Sequence, residues 1–370
     1  MPLRRQPIKL AVALRKALHI LASPVKGDNG RGGLFIHAYR GYGSSQQLFL
    51  MGRVFHQPGF GSRLREDRVR RDLIDLLRRL LRKPVVNAKV RVCYKDAEQI
   101  VHTDRHGFFR VSMALSTMPS DVLWHSIDLS LIDPVDERAT TTGEFFTPAS
   151  TARYGVISDI DDTVVYTGVA STARMMWRLF AQGAESRMVF PGVSALYQAF
   201  YDGASGHQGN PMLYVSRAPW SIYQVLVEFF RMHHIPVGPI LILREWGLKR
   251  GSLLPRRAKD HKLEVIRQML AIYKDLPFVL IGDSGQHDPE VYTRILREHP
   301  GRIIGIYIRD VSNDAGREES IATLAHEVKA AGSDLMLASD SLVMAQHAVE
   351  QGLISADALN TVKLVQDQEE

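Results

Sequence analysis

The sequence predicts an α/β protein in which a doubly wound parallel sheet is preceded by a β-sandwich. From Tyr154 onward, apolar runs of strand length alternate with stretches of helical period, the pattern of βα units that build a parallel sheet. Upstream, between residues 34 and 148, short alternating runs are separated by turn-forming residues, as in an antiparallel sandwich. The segment Tyr154 to Thr167 reads YGVISDIDDTVVYT and sets Asp159, Asp161 and Asp162 where an apolar run ends. Ligands of open α/β sheets gather at the carboxyl ends of the strands. Acids packed this tightly repel one another unless a cation or a shared proton offsets them. For an isolated pair of acids, a turn that caps the next helix is the simpler reading.

A chain of 370 residues can hold two domains, and 45% hydrophobic with 23% charged residues is an ordinary globular composition rather than a disordered one. One cysteine, Cys93, excludes an intrachain disulfide and a cysteine-based zinc site, and fits a reducing compartment. The charge is uneven. Through Arg91 there are 20 Lys/Arg against 5 Asp/Glu, net +15, and the remainder holds 26 against 35, net −9. A basic first quarter suggests an anionic partner. No stretch approaches the roughly 18 uninterrupted apolar residues of a membrane span.

In chain order, Ile8 to Ala22 gathers Leu10, Leu14, Ala17, Leu18 and Leu21 on one helical side, with Arg4, Arg5, Lys9, Arg15, Lys16 and His19 on the other. Arg15, Lys16 and His19 interrupt what would be the apolar core of a signal peptide. The segment reads either as a basic amphipathic helix lying on an anionic bilayer or as a helix packed on the protein's own core. A linker, Lys26 to Gly33, follows. Leu34 to Ala38 and Leu48 to Phe55 are expected strands. Arg63 to Lys83 is a second basic amphipathic helix, ended by Pro84. It lacks the interleaved aromatics of a stacking platform, which argues against nucleic acid as its partner. Ala88 to Tyr94, Gln99 to Thr103, Phe108 to Met113 and Ser126 to Leu131 complete the expected sandwich. The turn Thr103 to Gly107 resembles a hairpin of small transthyretin-like sandwiches, with Asp104 as a turn residue and the aromatic after Gly107 packed inward.

The expected second half runs as strand Val156 to Asp159, helices Thr172 to Ser186 and Val193 to Asp202, strand Met212 to Ser216 and helix Ile222 to His233. Strand Ile240 to Leu243, helix His261 to Tyr273, strand Phe278 to Gly282, helix Glu290 to Glu298 and strand Ile303 to Ile308 follow. The tail, Glu319 to Leu364, adds helices and one short strand at Leu335 to Ala338.

Four features fall in order at the ends of these units: Asp159, Asp161 and Thr163; then Ser216; then Lys262 at a helix start; then Asp283 with Asp288 five residues on. Phosphoryl transfer needs this inventory. One carboxylate can attack phosphorus. A second, two residues on, can protonate the leaving alcohol and then deprotonate water. A hydroxyl and an ammonium can hold the nonreacting oxygens as charge builds. Mg²⁺, a hard cation that prefers oxygen ligands, can relieve the crowded acids. Singly, Ser216 is a strand-end hydroxyl, Lys262 a solvated helix residue and Asp283 a helix cap; together on successive βα units they point to a site.

The strings SDIDDTVVYTG, LYVSRAPW, HKLEVI and FVLIGDSGQHDPEVY carry the four motifs of the haloacid dehalogenase-like phosphatases. With FPGVSALYQAF and IIGIYIRDV, from about Tyr154 to Val311, the wording resembles more narrowly the catalytic domain of the actin-patch-protein type of phosphatidate phosphatase. Upstream, AYRGYG and LMGRVF also fit bacterial members. The resemblance implies a Rossmann-like sheet with a small cap, Mg²⁺ as cofactor, and phosphatidate as substrate. It implies Asp159 as nucleophile and Asp161 as general acid and base. Asp283 would bind the metal with Asp159 and the Asp161 carbonyl, with Asp288 at or beside it. Ser216 and Lys262 would contact phosphate, with Thr163 and Arg217 supporting substrate. Lys259 competes with Lys262, and the HK string favours Lys262. Asp162 is assigned helix capping. The cap, between Val164 and Pro211, carries Met175, Met176, Trp177, Leu179 and Phe180.

The expected division is therefore 1–33, basic helix and linker; 34–148, β-sandwich with an inserted basic helix; 149–312, phosphatase domain; and 313–370, helices completing it. The expected protein is cytoplasmic and peripheral at the inner face of the membrane, reaching phosphatidate through its basic N-terminal helices. Two other readings stay open: the same chemistry on a soluble phosphomonoester, or a membrane- or partner-binding module with a vestigial phosphatase domain.

Overall fold

The structure is a computed structural model and describes residues 32–59, 78, 81–116, 122–136, 139–164, 189–217, 220, 223–242, 258–312 and 314–369. The expected helices at Ile8 to Ala22 and Thr172 to Ser186, and most of that at Arg63 to Lys83, lie outside the described residues. The chain divides into two compact units, with Thr147 in the first and Pro148 in the second.

The described residues of the first unit hold nine strands: β1 (Gly33–Ala38), β2 (Gly41–Gly43), β3 (Gln47–Gln57), β4 (Lys83–Pro84), β5 (Lys89–Tyr94), β6 (Ala97–His102), β7 (Phe108–Ala114), β8 (Trp124–Asp133) and β9 (Thr140–Phe146). They form one hydrogen-bonded sheet, ordered β1-β3-β2-β9-β8-β5-β6, with β4 and β7 also on β3. All pairs are antiparallel except β2 with β9. This differs from two separate sheets of a sandwich. The 11-residue β3 pairs with β1, β2, β4 and β7, and so serves both sides of a shared core. Leu48, Leu50, Val54, Val90, Val92, Phe109, Val111, Ile127, Leu129 and Phe145 fill that core. Strand alternation selects them: along β7, Phe109, Val111 and Met113 point inward while Arg110 and Ser112 point out.

Two expectations are corrected here. Lys83 and Pro84 pair with His56 and Phe55 as β4 rather than ending a helix. The aromatic packed inward after the Gly107 turn is Phe109; Phe108 is half-buried under the Arg53 guanidinium, 5.0 Å from its ring centre. Asp104 is a turn residue, as read: its Oδ1 accepts from the amides of His106 (2.8 Å) and Phe108 (2.9 Å). Gly107 has φ +79°, and a Cβ there would lie 2.4 Å from the Val54 carbonyl. β9 was not legible, because Gly143 and Glu144 break the alternation in TTTGEFF.

The second unit is a six-stranded parallel sheet: β10 (Gly155–Asp159), β11 (Met212–Ser216), β12 (Ile240–Ile242), β13 (Phe278–Asp283), β14 (Ile303–Arg309) and β15 (Leu335–Ala338). The described helices are α1 (Val193–Asp202), α2 (Tyr223–Met232), α3 (Ala258–Ile272), α4 (Asp288–Glu298), α5 (Ala315–Ala330), α6 (Ser341–Glu350) and α7 (Ala356–Glu369). Both faces of the central strands are covered, and β10, β11 and β13 are buried at every position, which is why they read as unbroken apolar runs. The spatial order is β12-β11-β10-β13-β14-β15. The chain leaves β10 toward one edge and returns at β13 on the other side. β10 and β13 thus flank a topological switch point, and each ends in an aspartate. Side-chain caps start two of the later helices: Asp314 accepts from Gly316 N and Asp340 from Val343 N. No described helix is long and apolar enough to cross a membrane.

Candidate active site

Asp159 closes β10 and is fully buried, as is Asp283 at the end of β13. Asp288 opens α4 and is 2% exposed. Carboxylate oxygens from these three lie within 4.8 Å of one another. The close approach needs Gly282, where a Cβ would lie 2.3 Å from Asp288 Oδ2. Asp288 Oδ2 accepts from the Asp283 amide at 3.3 Å, which keeps the loop after β13 folded back on its strand.

Lys262, on the first turns of α3 and 4% exposed, reaches into this cluster. Its Nζ donates to Asp288 Oδ1 and lies 3.0 Å from Asp159 Oδ1. That separation makes an ion pair, yet neither Asp159 oxygen has an aligned hydrogen bond from any described residue; both oxygens of Asp283 are likewise without one. Burial pushes the Asp159 carboxyl well above its usual range, and Lys262 only partly offsets this against Asp288, Asp161 and Asp283. Burial, with Asp288 next, pushes Asp283 up to about 8. Burial alone would pull the Lys262 ammonium down, but Asp159 and Asp288 hold it above the ordinary lysine value.

Asp161 faces different company. Its Oδ2 accepts from Ser216 Oγ and from the Arg217 amide, both at 3.2 Å. Burial raises its pKa, and the Arg217 amide and the Ser216 hydroxyl pull it back. The acidic triad therefore omits the Asp161 side chain. Its backbone carbonyl is turned the other way and accepts from Gln286 Nε2 at 3.2 Å. Asp162 stands between the two directions with φ +58°, a left-handed residue at the tightest point of the turn. The helix it was expected to cap lies outside the described residues. Thr163 is buried, and its hydroxyl has no hydrogen-bond partner among the described residues. Arg217 contributes its amide, and its side chain is exposed. The Lys259 side chain lies outside the described residues.

The residue set fits a divalent cation. Among the described residues, three carboxylates against one ammonium leave two negative charges when all are ionised, and four buried carboxylate oxygens lack an aligned hydrogen-bond donor. Oxygen-only donors suit a hard ion such as Mg²⁺.

Sequence reading missed the residues that hold the loops. Arg317 of α5 donates to the carbonyls of Ser284 (2.7 Å) and Gln286 (2.6 Å) and pairs with Glu290. Ser284 Oγ donates to Asp310 Oδ1 at 3.0 Å. Gln286 spans 125 residues of sequence to the Asp161 carbonyl. Gln286 lay inside a quoted motif, but nothing in its spacing reveals its partner.

Residues 154–310 match the family model for the catalytic domain of phosphatidate phosphatase APP1. Over this segment the chain is similar to the APP1 catalytic domain. Phosphatidate phosphatase APP1 of Saccharomyces cerevisiae is 31% identical over 214 residues, covering 57% of this chain and 34% of that protein. An uncharacterized protein of Schizosaccharomyces pombe is 27% identical over 250 residues, 64% of this chain and 40% of its own length. The chain thus spans roughly a third to two fifths of the length of these curated relatives. Among solved structures, a carbohydrate acetylesterase from Xanthomonas citri aligns over 78% of this chain and 72% of its own, at 9% identity and a TM-score of 0.27, too low to bear on fold or function.

Proposed function

We propose that the second unit is a Mg²⁺-dependent, haloacid dehalogenase-like phosphatase that hydrolyses phosphatidate to diacylglycerol and phosphate. The observation that carries this reading is Asp159: a buried carboxylate at the switch point, with no hydrogen bond on either oxygen among the described residues and an ammonium 3.0 Å away. A buried acid left open in this way is poised to meet something other than the protein.

In this reading Asp159 attacks phosphorus as the ester P–O bond breaks. Asp161, in its protonated form, gives its proton to the departing alkoxide. A water then attacks the aspartyl-phosphate and loses its proton to Asp161, and phosphate leaves with Asp159 restored. Lys262 and Ser216 hold the nonreacting phosphate oxygens, with Thr163 and Arg217 at the substrate side. Asp159, Asp283 and Asp288, with the Asp161 carbonyl, would hold Mg²⁺. The ion supplies positive charge that makes the crowded carboxylates and the phosphate compatible. The lipid substrate is taken from the relatives' name, and the basic N-terminal segments suit an enzyme working at an anionic membrane surface from the cytoplasm.

The test is phosphate release from detergent-dispersed phosphatidate, compared with a panel of soluble phosphomonoesters, with and without Mg²⁺. Release from phosphatidate that needs Mg²⁺ and vanishes in Asp159→Asn is the expected result. Release from soluble esters alone would reassign the substrate. Retained release in D159N would remove the nucleophile, and no release from any ester would leave a binding module.

A further inference from the structure

Arg309 ends β14 and is 2% exposed, the largest of the fully buried side chains. A buried guanidinium normally has a carboxylate against it. Arg309 makes no ion pair with any described residue. Its Nε donates to the Thr163 carbonyl at 3.2 Å, 146 residues away in sequence, and its NH2 group donates to Ser341 Oγ at 3.0 Å. The guanidinium carbon lies 4.3 Å from the centre of the Phe190 ring. Ser341 Oγ in turn donates to the Pro191 carbonyl at 2.7 Å. Filling this volume needs no charge, because a methionine would occupy it without the desolvation cost. What a methionine could not do is reach two acceptors in different directions.

Those directions matter because of the turn they hold. Between residues 160 and 164 three carbonyls are each held by a separate donor. Ile160 O accepts from Val164 N at 3.1 Å, Asp161 O from Gln286 Nε2 at 3.2 Å, and Thr163 O from Arg309 Nε at 3.2 Å. The Arg309 main chain meanwhile serves the other acidic loop. Its residue is paired with Asp283 across β13 and β14, and its carbonyl accepts from the Ser284 amide at 2.9 Å. One residue therefore touches the loop after Asp159 with its side chain and the loop after Asp283 with its backbone. Its other anchor, Ser341, belongs to α6, beyond the segment 154–310 that matches the family model.

We propose that Arg309 is a positioning residue: its guanidinium holds the 160–164 turn, and with it the Asp161 carboxyl and the Thr163 hydroxyl, in register with the Asp283 loop, and Ser341 of the C-terminal helices aims it. The role in turnover rests on the phosphatase reading above; the role in holding the turn does not.

The experiment compares Arg309→Met, Arg309→Lys and Ser341→Ala in the full chain by amide hydrogen exchange and by kinetics on p-nitrophenyl phosphate. R309M is expected to speed exchange at the Val164 amide by about tenfold or more, with the amides of β11 and β13 unchanged. It is expected to lower kcat by about 100-fold while KM moves by less than about threefold. R309K, which keeps the charge but reaches only one acceptor, should recover part of both, and S341A should show the same pattern more weakly. Exchange at 160–164 equal to that of the unchanged protein, or faster exchange spread evenly over β10 to β14, would reduce Arg309 to a core filler and overturn the proposal. A loss in KM with kcat intact would overturn its part in turnover. Should R309M fail to fold, R309K and S341A decide on the same readouts. If the unchanged protein releases no phosphate, the phosphatase reading falls, and the exchange data still decide whether Arg309 holds the turn.

Discussion

Thr103 and His125 in the first unit and Asp159 and Asp283 in the second are buried in opposite ways. In the antiparallel sheet, Thr103 Oγ1 donates to the Val85 carbonyl at 2.7 Å and accepts from the Ala88 amide at 2.8 Å. His125 is bonded on both ring nitrogens, to Tyr94 OH at 3.1 Å and Thr147 Oγ1 at 2.9 Å. In the parallel sheet, the carboxylates of Asp159 and Asp283 are buried with no aligned hydrogen bond from any described residue, and Asp159 has only the Lys262 ammonium at 3.0 Å. Burying a carboxylate costs far more than burying a hydroxyl or a neutral imidazole. The first arrangement is what a stable core looks like. The second gives up stability to leave open valences, and that difference separates a scaffold from a site.

The comparison breaks most visibly with metal. Adding Mg²⁺ at about 100 times its dissociation constant should raise the stability of the second unit by about 2.7 kcal/mol, read as a shift of one thermal transition only. Asp283→Asn should abolish that shift, yet melt higher than the unchanged protein in chelator above about pH 8, where the buried carboxyl would otherwise be charged. A lower melting temperature in chelator would mean the carboxylate is better satisfied than its surroundings indicate.

A smaller effect of opposite sign is expected in the first unit. Thr103→Val keeps the shape but takes the partner from a half-buried carbonyl, Val85, and a buried amide, Ala88, at a cost of about 1–3 kcal/mol. Denaturant melts should show the loss with kcat on a soluble ester unchanged. A neutral result would show that the Thr103 bonds are replaced by water.

The smallest effect concerns pH. Burial lowers the His125 pKa from its ordinary 6.5. The unfolded chain therefore binds the proton more readily than the folded one, and stability falls as pH drops below about 6.5 toward the lowered folded value. Above that range His125 is neutral in both states and contributes no slope. His125→Phe should flatten this part of the stability–pH curve of the first unit, and an unchanged slope would assign it to other groups.

Much of the site was legible because strand ends are legible. Apolar runs such as YGVIS, MLYVS and FVLIG stop where the sheet meets solvent or ligand, so Asp159, Ser216 and Asp283 could be placed without coordinates. Lys262 followed from its place at the start of a helical pattern. β9 and the shape of the first sheet were not legible. Gly143 hid a strand, and nothing local tells an 11-residue strand that it will pair with four partners.

By itself the sequence determined which residue types lie at which strand ends, since hydrophobic period and run length are local properties of the chain. Only the tertiary structure decided where those side chains turn. The Asp161 carboxyl meets Ser216 and Arg217 rather than the triad, and Gly282 lets Asp288 join it. Arg309 and Gln286 find their carbonyls across 146 and 125 residues. Such pairings depend on the order of strands in space, and that order is set by packing over the whole sheet rather than by any one stretch of sequence.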